Sequence, residues 1–126
     1  MVEKKAVVGK CILVAEDDKF CQMALGAIVK AAGATATMTE NGEKCVKEFA
    51  ANSKKYKLIL MDISMPVMDG YAATKAIRKV DKKIKIIGLS ADDDEDTKAE
   101  ALKCGMNSLL FKPIKKVELQ SIIKDV

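Results

Sequence analysis

Asp62 ends the apolar run Leu58-Ile59-Leu60-Met61 and is followed by Ile63-Ser64-Met65-Pro66-Val67-Met68-Asp69-Gly70. A carboxylate that closes a buried strand gives up hydration, so it needs a compensating role as metal ligand, nucleophile or cap. Other polar groups stand in comparable places: Glu16-Asp17-Asp18 after the run 11–15, Ser90 after 84–89, and Lys112 after 108–111. Clustered carboxylates cannot all stay ionised without a cation, and oxygen-only donors suit a hard divalent ion such as Mg²⁺. A lysine and a hydroxyl beside them can take up the charge of phosphoryl oxygens. Carboxylate, cation, hydroxyl and ammonium together make a site able to form an aspartyl phosphate. Taken singly, each residue has a plainer use: Asp62 as a turn former, Glu16 to Asp18 as helix caps, Ser90 and Lys112 as solvated side chains.

The elements that must position these groups are readable. Five apolar runs, 11–15, 34–38, 58–61, 84–89 and 108–111, lack polar alternation and so describe strands buried on both faces. Between them lie amphipathic stripes at helical spacing. Cys21, Leu25, Ile28 and Ala32 form one, Ala73, Ala76, Ile77 and Val80 another, and Leu119, Ile122, Ile123 and Val126 a third. Gly33 and Gly105 are placed to end helices, and Asn41-Gly42 marks the start of the second one. The pattern is weakest over 92–104, where the acidic run Asp92 to Asp96 suits a helix N-terminus. Alternating strands and helices with right-handed crossovers predict an α/β fold, a doubly wound parallel sheet whose site lies at the carboxyl ends of the strands.

Size and composition narrow the classes further. The chain has 126 residues, 49% hydrophobic and 32% charged, which fits one domain spanning 1–126 with an ordinary soluble composition. Its first apolar stretch is too short for a signal peptide or a membrane span, so a cytoplasmic location is expected, or a nuclear one in a eukaryote. Lys and Arg number 22 against 18 for Asp and Glu. The lysine pairs Lys4-Lys5, Lys54-Lys55, Lys82-Lys83 and Lys115-Lys116 are dispersed along the chain, and aromatics make up only 4%. That distribution predicts solvated helix ends and loops, with neither nucleic acid nor membrane as partner. Cys11, Cys21, Cys45 and Cys104 form no Cys-x-x-Cys pair and lie in apolar stretches, so reduced, buried thiols are expected. Histidine is absent, so any phosphohistidine must come from a partner. No Gly-rich loop follows the first run to cradle a nucleotide.

The strings Ile12-Leu13-Val14-Ala15-Glu16-Asp17-Asp18, Leu60 to Gly70, Ile87-Gly88-Leu89-Ser90-Ala91 and Phe111-Lys112-Pro113-Ile114 resemble the receiver domain of two-component response regulators. All four occur in order and cover essentially the whole chain. The resemblance implies a flavodoxin-like (βα)5 fold with strand order 2-1-3-4-5. It implies that Asp62 accepts a phosphoryl group and that Mg²⁺ is held by Asp17, Asp62, the backbone carbonyl of Ser64 and, through water, Glu16. Ser90 matches the switch hydroxyl, Lys112 the lysine that pairs with the phosphoryl group, and Lys112-Pro113 would be a cis peptide. Such a domain is a signalling phosphoacceptor rather than an enzyme, served by a histidine kinase or a histidine phosphotransfer protein. It would be a monomer or weak dimer, either a stand-alone regulator or the receiver of a hybrid histidine kinase, which residues 106–111 resemble. Two other readings use the same fold: an unphosphorylated interaction module, and a small Mg²⁺-dependent phosphatase. The phosphatases carry a second acid two residues after the nucleophile, where this chain has Ser64. One departure from the family stands out: Leu109 occupies the position, three before the lysine, where receivers often carry an aromatic reporter.

Overall fold

The computed structural model describes residues 9–126; Lys4-Lys5 lies outside the described residues. Five parallel strands, β1 (Cys11–Ala15), β2 (Thr35–Thr39), β3 (Tyr56–Asp62), β4 (Lys85–Ser90) and β5 (Ser108–Phe111), form one sheet in the order β2-β1-β3-β4-β5. Five helices alternate with them: α1 (Lys19–Ala31), α2 (Gly42–Asn52), α3 (Gly70–Arg78), α4 (Glu95–Cys104) and α5 (Lys116–Asp125). A short 3₁₀ turn, Ser53–Lys55, leads into β3.

Why the strands read as unbroken apolar runs is plain from the packing. Successive residues of a strand face opposite sides of the sheet. Ile12 and Val14 pack with Leu25, Val29, Leu119 and Ile123 of α1 and α5. Leu13 and Ala15 face the other way, toward Cys45, Phe49, Ala73 and Ile77 of α2 and α3. Both faces of β1 are covered, so neither can be polar. Cys45 and Cys104 are buried as small hydrophobes, with burial pushing the Cys45 thiol up to about 12. Cys11 and Cys21 are only half-buried, and all four thiols are free.

The starts of α1, α2 and α4 coincide with the predicted signals, and Asp69 caps α3 in the same manner. Asp18 accepts hydrogen bonds from the N–H groups of Phe20 (2.8 Å) and Cys21 (3.2 Å), Asn41 from Lys44 (2.8 Å), Asp69 from Ala72 (2.8 Å) and Asp94 from Thr97 (2.7 Å). These side chains satisfy amides that the helix itself leaves unpaired. Gly105 closes α4 in the left-handed region at φ 113°, and Gly33 follows α1 at φ 89°. Several bounds shift: β2 and β4 begin and end one residue later than 34–38 and 84–89, β3 runs over Tyr56–Asp62 rather than 58–61, and α3 stops at Arg78, leaving Val80 75% exposed in the following loop rather than on an apolar stripe. Among the described residues, no helix is long and apolar enough to cross a membrane.

Candidate functional site

Parallel strands bring all their carboxyl ends to one edge, and the order reverses between β1 and β3, opening a crevice there. Glu16 and Asp17 follow β1, Asp62 ends β3, Ser90 ends β4 and Lys112 follows β5. They line a single cleft of about 420 Å³, together with Asp18, Ser64, Tyr71, Asp92 and Thr97. The residues singled out from sequence are therefore brought together. Tyr71 and Thr97 are the wall residues that sequence reading missed; both are helical side chains with no motif to flag them.

Three carboxylates meet inside the cleft. One oxygen from each of Glu16, Asp17 and Asp62 lies within 4.8 Å of the others. Glu16 is fully buried and Asp62 is 4% exposed, whereas Asp17 faces solvent. Glu16 Oε2 accepts from the N–H of Asp18 at 3.1 Å, and Gln22 Nε2 donates to the Glu16 carbonyl at 2.6 Å, fixing the β1–α1 loop. Glu16 Oε1 lies 2.9 Å from Lys112 Nζ but off the hydrogen-bonding direction, so this buried oxygen has charge contact and no hydrogen-bond partner. Lys112 Nζ donates to Asp62 Oδ2 at 3.3 Å, and the Ser64 N–H donates to Asp62 Oδ1 at 3.3 Å. One ammonium thus serves two buried carboxylates, an arrangement short of positive charge.

Electrostatics follow from that shortage. Burial above all, then the adjacent carboxylate of Glu16, push the Asp62 carboxyl from 3.8 up to about 7, with Lys112 pulling the other way. At Lys112, partial burial lowers the ammonium's pKa, but the adjacent carboxylates of Glu16 and Asp62 outweigh it and leave the group above its ordinary value.

The backbone around Asp62 is tightly set. Gly70 must be glycine because a Cβ there would lie 2.2 Å from the Asp62 carbonyl oxygen. Its N–H donates to the Ile63 carbonyl at 2.9 Å, folding the 63–69 loop back over the strand end. Within that loop Val67 sits at φ 71°, a conformation that β-branched residues rarely adopt. The Lys112-Pro113 peptide is cis, as the resemblance implied. Ser90 Oγ is engaged with the next loop, donating to the Asp92 carbonyl and accepting from the Asp92 N–H, both at 2.9 Å. Leu109 packs against the α3–α4 side of the core, so an aliphatic side chain fills the position of the aromatic reporter.

Fold and site together define a doubly wound α/β domain that presents an acidic rim with one lysine and one strand-end hydroxyl. The response regulator receiver domain family matches residues 12–124, and the chain belongs to that family. It is the phosphoacceptor module of two-component and phosphorelay signalling. Chemotaxis protein CheY of Thermotoga maritima is 36% identical over 106 residues, covering 83% of this chain and 87% of that protein. The osmosensing histidine protein kinase SLN1 of Saccharomyces cerevisiae is 38% identical over 81 residues, 64% of this chain. The chain spans only 7% of SLN1 and 20% of the transcription factor SKN7 of Candida albicans. Among solved structures, the receiver domain of sensor histidine kinase PA1611 from Pseudomonas aeruginosa, with a magnesium ion in its active-site cleft, is 35% identical. Its TM-score is 0.83, over 94% of this chain and 97% of that one. The co-crystal structure of the Saccharomyces cerevisiae phosphotransfer protein Ypd1 with the receiver of Ssk1 gives 26% identity and TM-score 0.85, over 94% of this chain and 88% of that one.

Proposed function

We propose that this domain takes a phosphoryl group from phosphohistidine on a partner protein onto Asp62 and signals by the change in charge. The observation that carries the reading is the buried Glu16–Lys112–Asp62 cluster, in which one ammonium faces two carboxylates and Glu16 Oε1 lacks a hydrogen-bond partner. Such a cluster fits a bound cation. Its donors are all oxygen, which suits Mg²⁺ better than a thiophilic metal. Asp17, Asp62 and the Ser64 backbone carbonyl would hold the ion, with Glu16 acting through water. When bound, it supplies positive charge that offsets the carboxylates and the incoming phosphoryl oxygens.

The chain's own residues then do the following. An Asp62 carboxylate oxygen attacks phosphorus in line; the new P–O bond forms as the P–N bond breaks, and the imidazole nitrogen leaves with the electron pair. Lys112 leaves its contacts with Asp62 and Glu16 to neutralise a phosphoryl oxygen. Ser90, once released from Asp92, donates its hydroxyl to another, dragging the β4–α4 loop with it. The domain supplies the environment for its own phosphorylation and for hydrolysis of the acyl phosphate, without turning over a free metabolite. Its donor is a histidine kinase or histidine phosphotransfer protein, consistent with SLN1 and with the Ypd1–Ssk1 complex as neighbours. Four free thiols suit a reducing compartment, the cytoplasm or a eukaryotic nucleus.

Beryllofluoride binding tests the reading. Binding followed by NMR should require Mg²⁺, be lost in Asp62→Asn, and shift the amides of Ser90 to Asp92. Binding that persists in a chelator, or in the Asn variant, contradicts it.

A further inference from the structure

Read along the chain, the lysines look dispersed; folding gathers many of them at the pole opposite the site. The amino ends of β1, β3 and β4 are neighbours in the sheet. Lys10 precedes β1, Lys54, Lys55 and Lys57 precede or begin β3, and Lys82, Lys83 and Lys85 precede or begin β4. Lys57, Lys83 and Lys85 line one cleft of about 310 Å³, whose carboxylates are Asp81 and Asp125. Asp81 is already occupied, accepting from the N–H groups of Lys83 (2.8 Å) and Ile84 (2.9 Å). The ion pairs among the described residues involve Lys44, Lys47, Lys98 and Lys112, and none of these seven lysines. Helix ends account for Lys103, in the last turn of α4, and for Lys10, whose Nζ donates to the α5 carbonyls of Ile123 (3.1 Å) and Lys124 (3.2 Å), but not for Lys57 and Lys85, which stand at strand starts. A solubilising coat would balance both signs at each pole; here the opposite pole carries Asp17, Asp18, Asp69 and the run Asp92 to Asp96, in excess over the Lys19, Lys98, Lys112, Lys115 and Lys116 that share it.

We propose that this lysine pole docks on an anionic membrane surface. Lysines are hydrated point charges suited to a diffuse layer of headgroups, whereas reading nucleic-acid phosphates or bases favours arginine forks and stacking rings. The pole's tyrosine, Tyr56, is 3% exposed and cannot stack. Val80 adds the other half of an interfacial anchor: it is 75% exposed in the segment Lys79-Val80-Asp81-Lys82-Lys83, an apolar side chain with lysines close on either side in the chain. The charge polarity also orients the domain. An anionic surface attracts the lysine pole and repels the acidic one, so the Asp62 cleft points away from the lipid and stays open to a phosphohistidine donor.

Vesicle co-sedimentation tests this with the full chain. Vesicles of phosphatidylcholine with phosphatidylserine should bind it at low salt and release it at high salt; phosphatidylcholine alone should not bind. Each lysine near such a surface contributes about fivefold in partitioning, so Lys57→Gln/Lys82→Gln/Lys83→Gln should weaken binding about a hundredfold. Lys19→Gln/Lys47→Gln/Lys116→Gln, which removes the same charge elsewhere, should weaken it less than about fivefold by the same measure. Circular dichroism of both variants checks that they fold. No binding to phosphatidylserine vesicles, equal losses in the two variants, or tighter binding to duplex DNA than to vesicles overturns the proposal.

Discussion

Replacing the acceptor, Asp62→Asn, should stabilise the domain. The carboxyl is 4% exposed and its pKa is raised from 3.8 to about 7, so the folded state holds this proton more tightly than the unfolded chain does. Below pH 4 both states are protonated and Asp62 costs nothing. As pH rises toward 7 the unfolded chain ionises while the folded one resists, and stability drains away; above 7 the whole penalty is present. A shift of that size corresponds to about 4 kcal/mol at most, and to about 2 kcal/mol if the site relaxes around the charge. For a domain of this length that is a rise in Tm of roughly 5–15 °C for the Asn variant near neutral pH, in chelator. Differential scanning calorimetry from pH 4 to 8 is the assay. Carboxylates with depressed pKa values, such as Asp81, give an opposite slope, but they are present in both proteins and cancel in the difference. The difference should be near zero at pH 4 and grow to its full value by about pH 7.5. Mg²⁺ should raise the wild-type Tm and leave the variant's almost unmoved. A variant no more stable than wild type at pH 7.5, or an advantage independent of pH, would refute the reasoning.

Three further outcomes follow from named contacts. Lys112→Met leaves Glu16 and Asp62 buried without their shared ammonium and should cost about 3–5 kcal/mol in urea unfolding at pH 7, with part recovered in Mg²⁺; an unchanged midpoint contradicts the cluster. Arg78 donates to the carbonyls of Gly105 (2.9 Å), Asp81 (3.2 Å) and Ile84 (2.7 Å) and to Asn107 Oδ1 (3.0 Å), so Arg78→Ala should lose about 2–3 kcal/mol in the same measurement while beryllofluoride binding is kept. Gly70→Ala pushes a Cβ to 2.2 Å from the Asp62 carbonyl, and NMR should show the Asp62 and Ile63 amides shifted and beryllofluoride affinity reduced by about tenfold or more.

What the sequence revealed and what it hid divide along physical lines. Asp62, Ser90 and Lys112 were legible because each ends or follows an apolar run, and a parallel sheet sends every such end to one rim. Helix starts were legible for a similar reason at Asp18, Asn41 and the Asp92–Asp96 run, where side chains act on amides two or three residues away; Asp69 caps α3 in the same way without having been singled out. Val80 misled because helical spacing says nothing of where a helix stops, and α3 ends before reaching it. Arg78 went unnoticed since two of its partners, Gly105 and Asn107, lie 27 and 29 residues away and are brought to it by the packing of α3 against α4. Dispersed lysines hid for the same reason; their gathering depends on strand order, which brings β3 and β4 next to each other and β1 beside them. Asp92 as the resting partner of the Ser90 hydroxyl was equally invisible, being a backbone contact.

The central claim is that Asp62 is the acceptor, and phosphoryl transfer measures it most directly. Incubated with Mg²⁺ and a phosphohistidine-bearing phosphotransfer protein or acetyl phosphate, the wild type should gain one phosphoryl group that is labile to hydroxylamine and maps by mass spectrometry to the peptide containing Asp62. Asp62→Asn, folded and more stable, should gain none. Equal labelling of the variant, or a modified residue elsewhere in the chain, contradicts the claim.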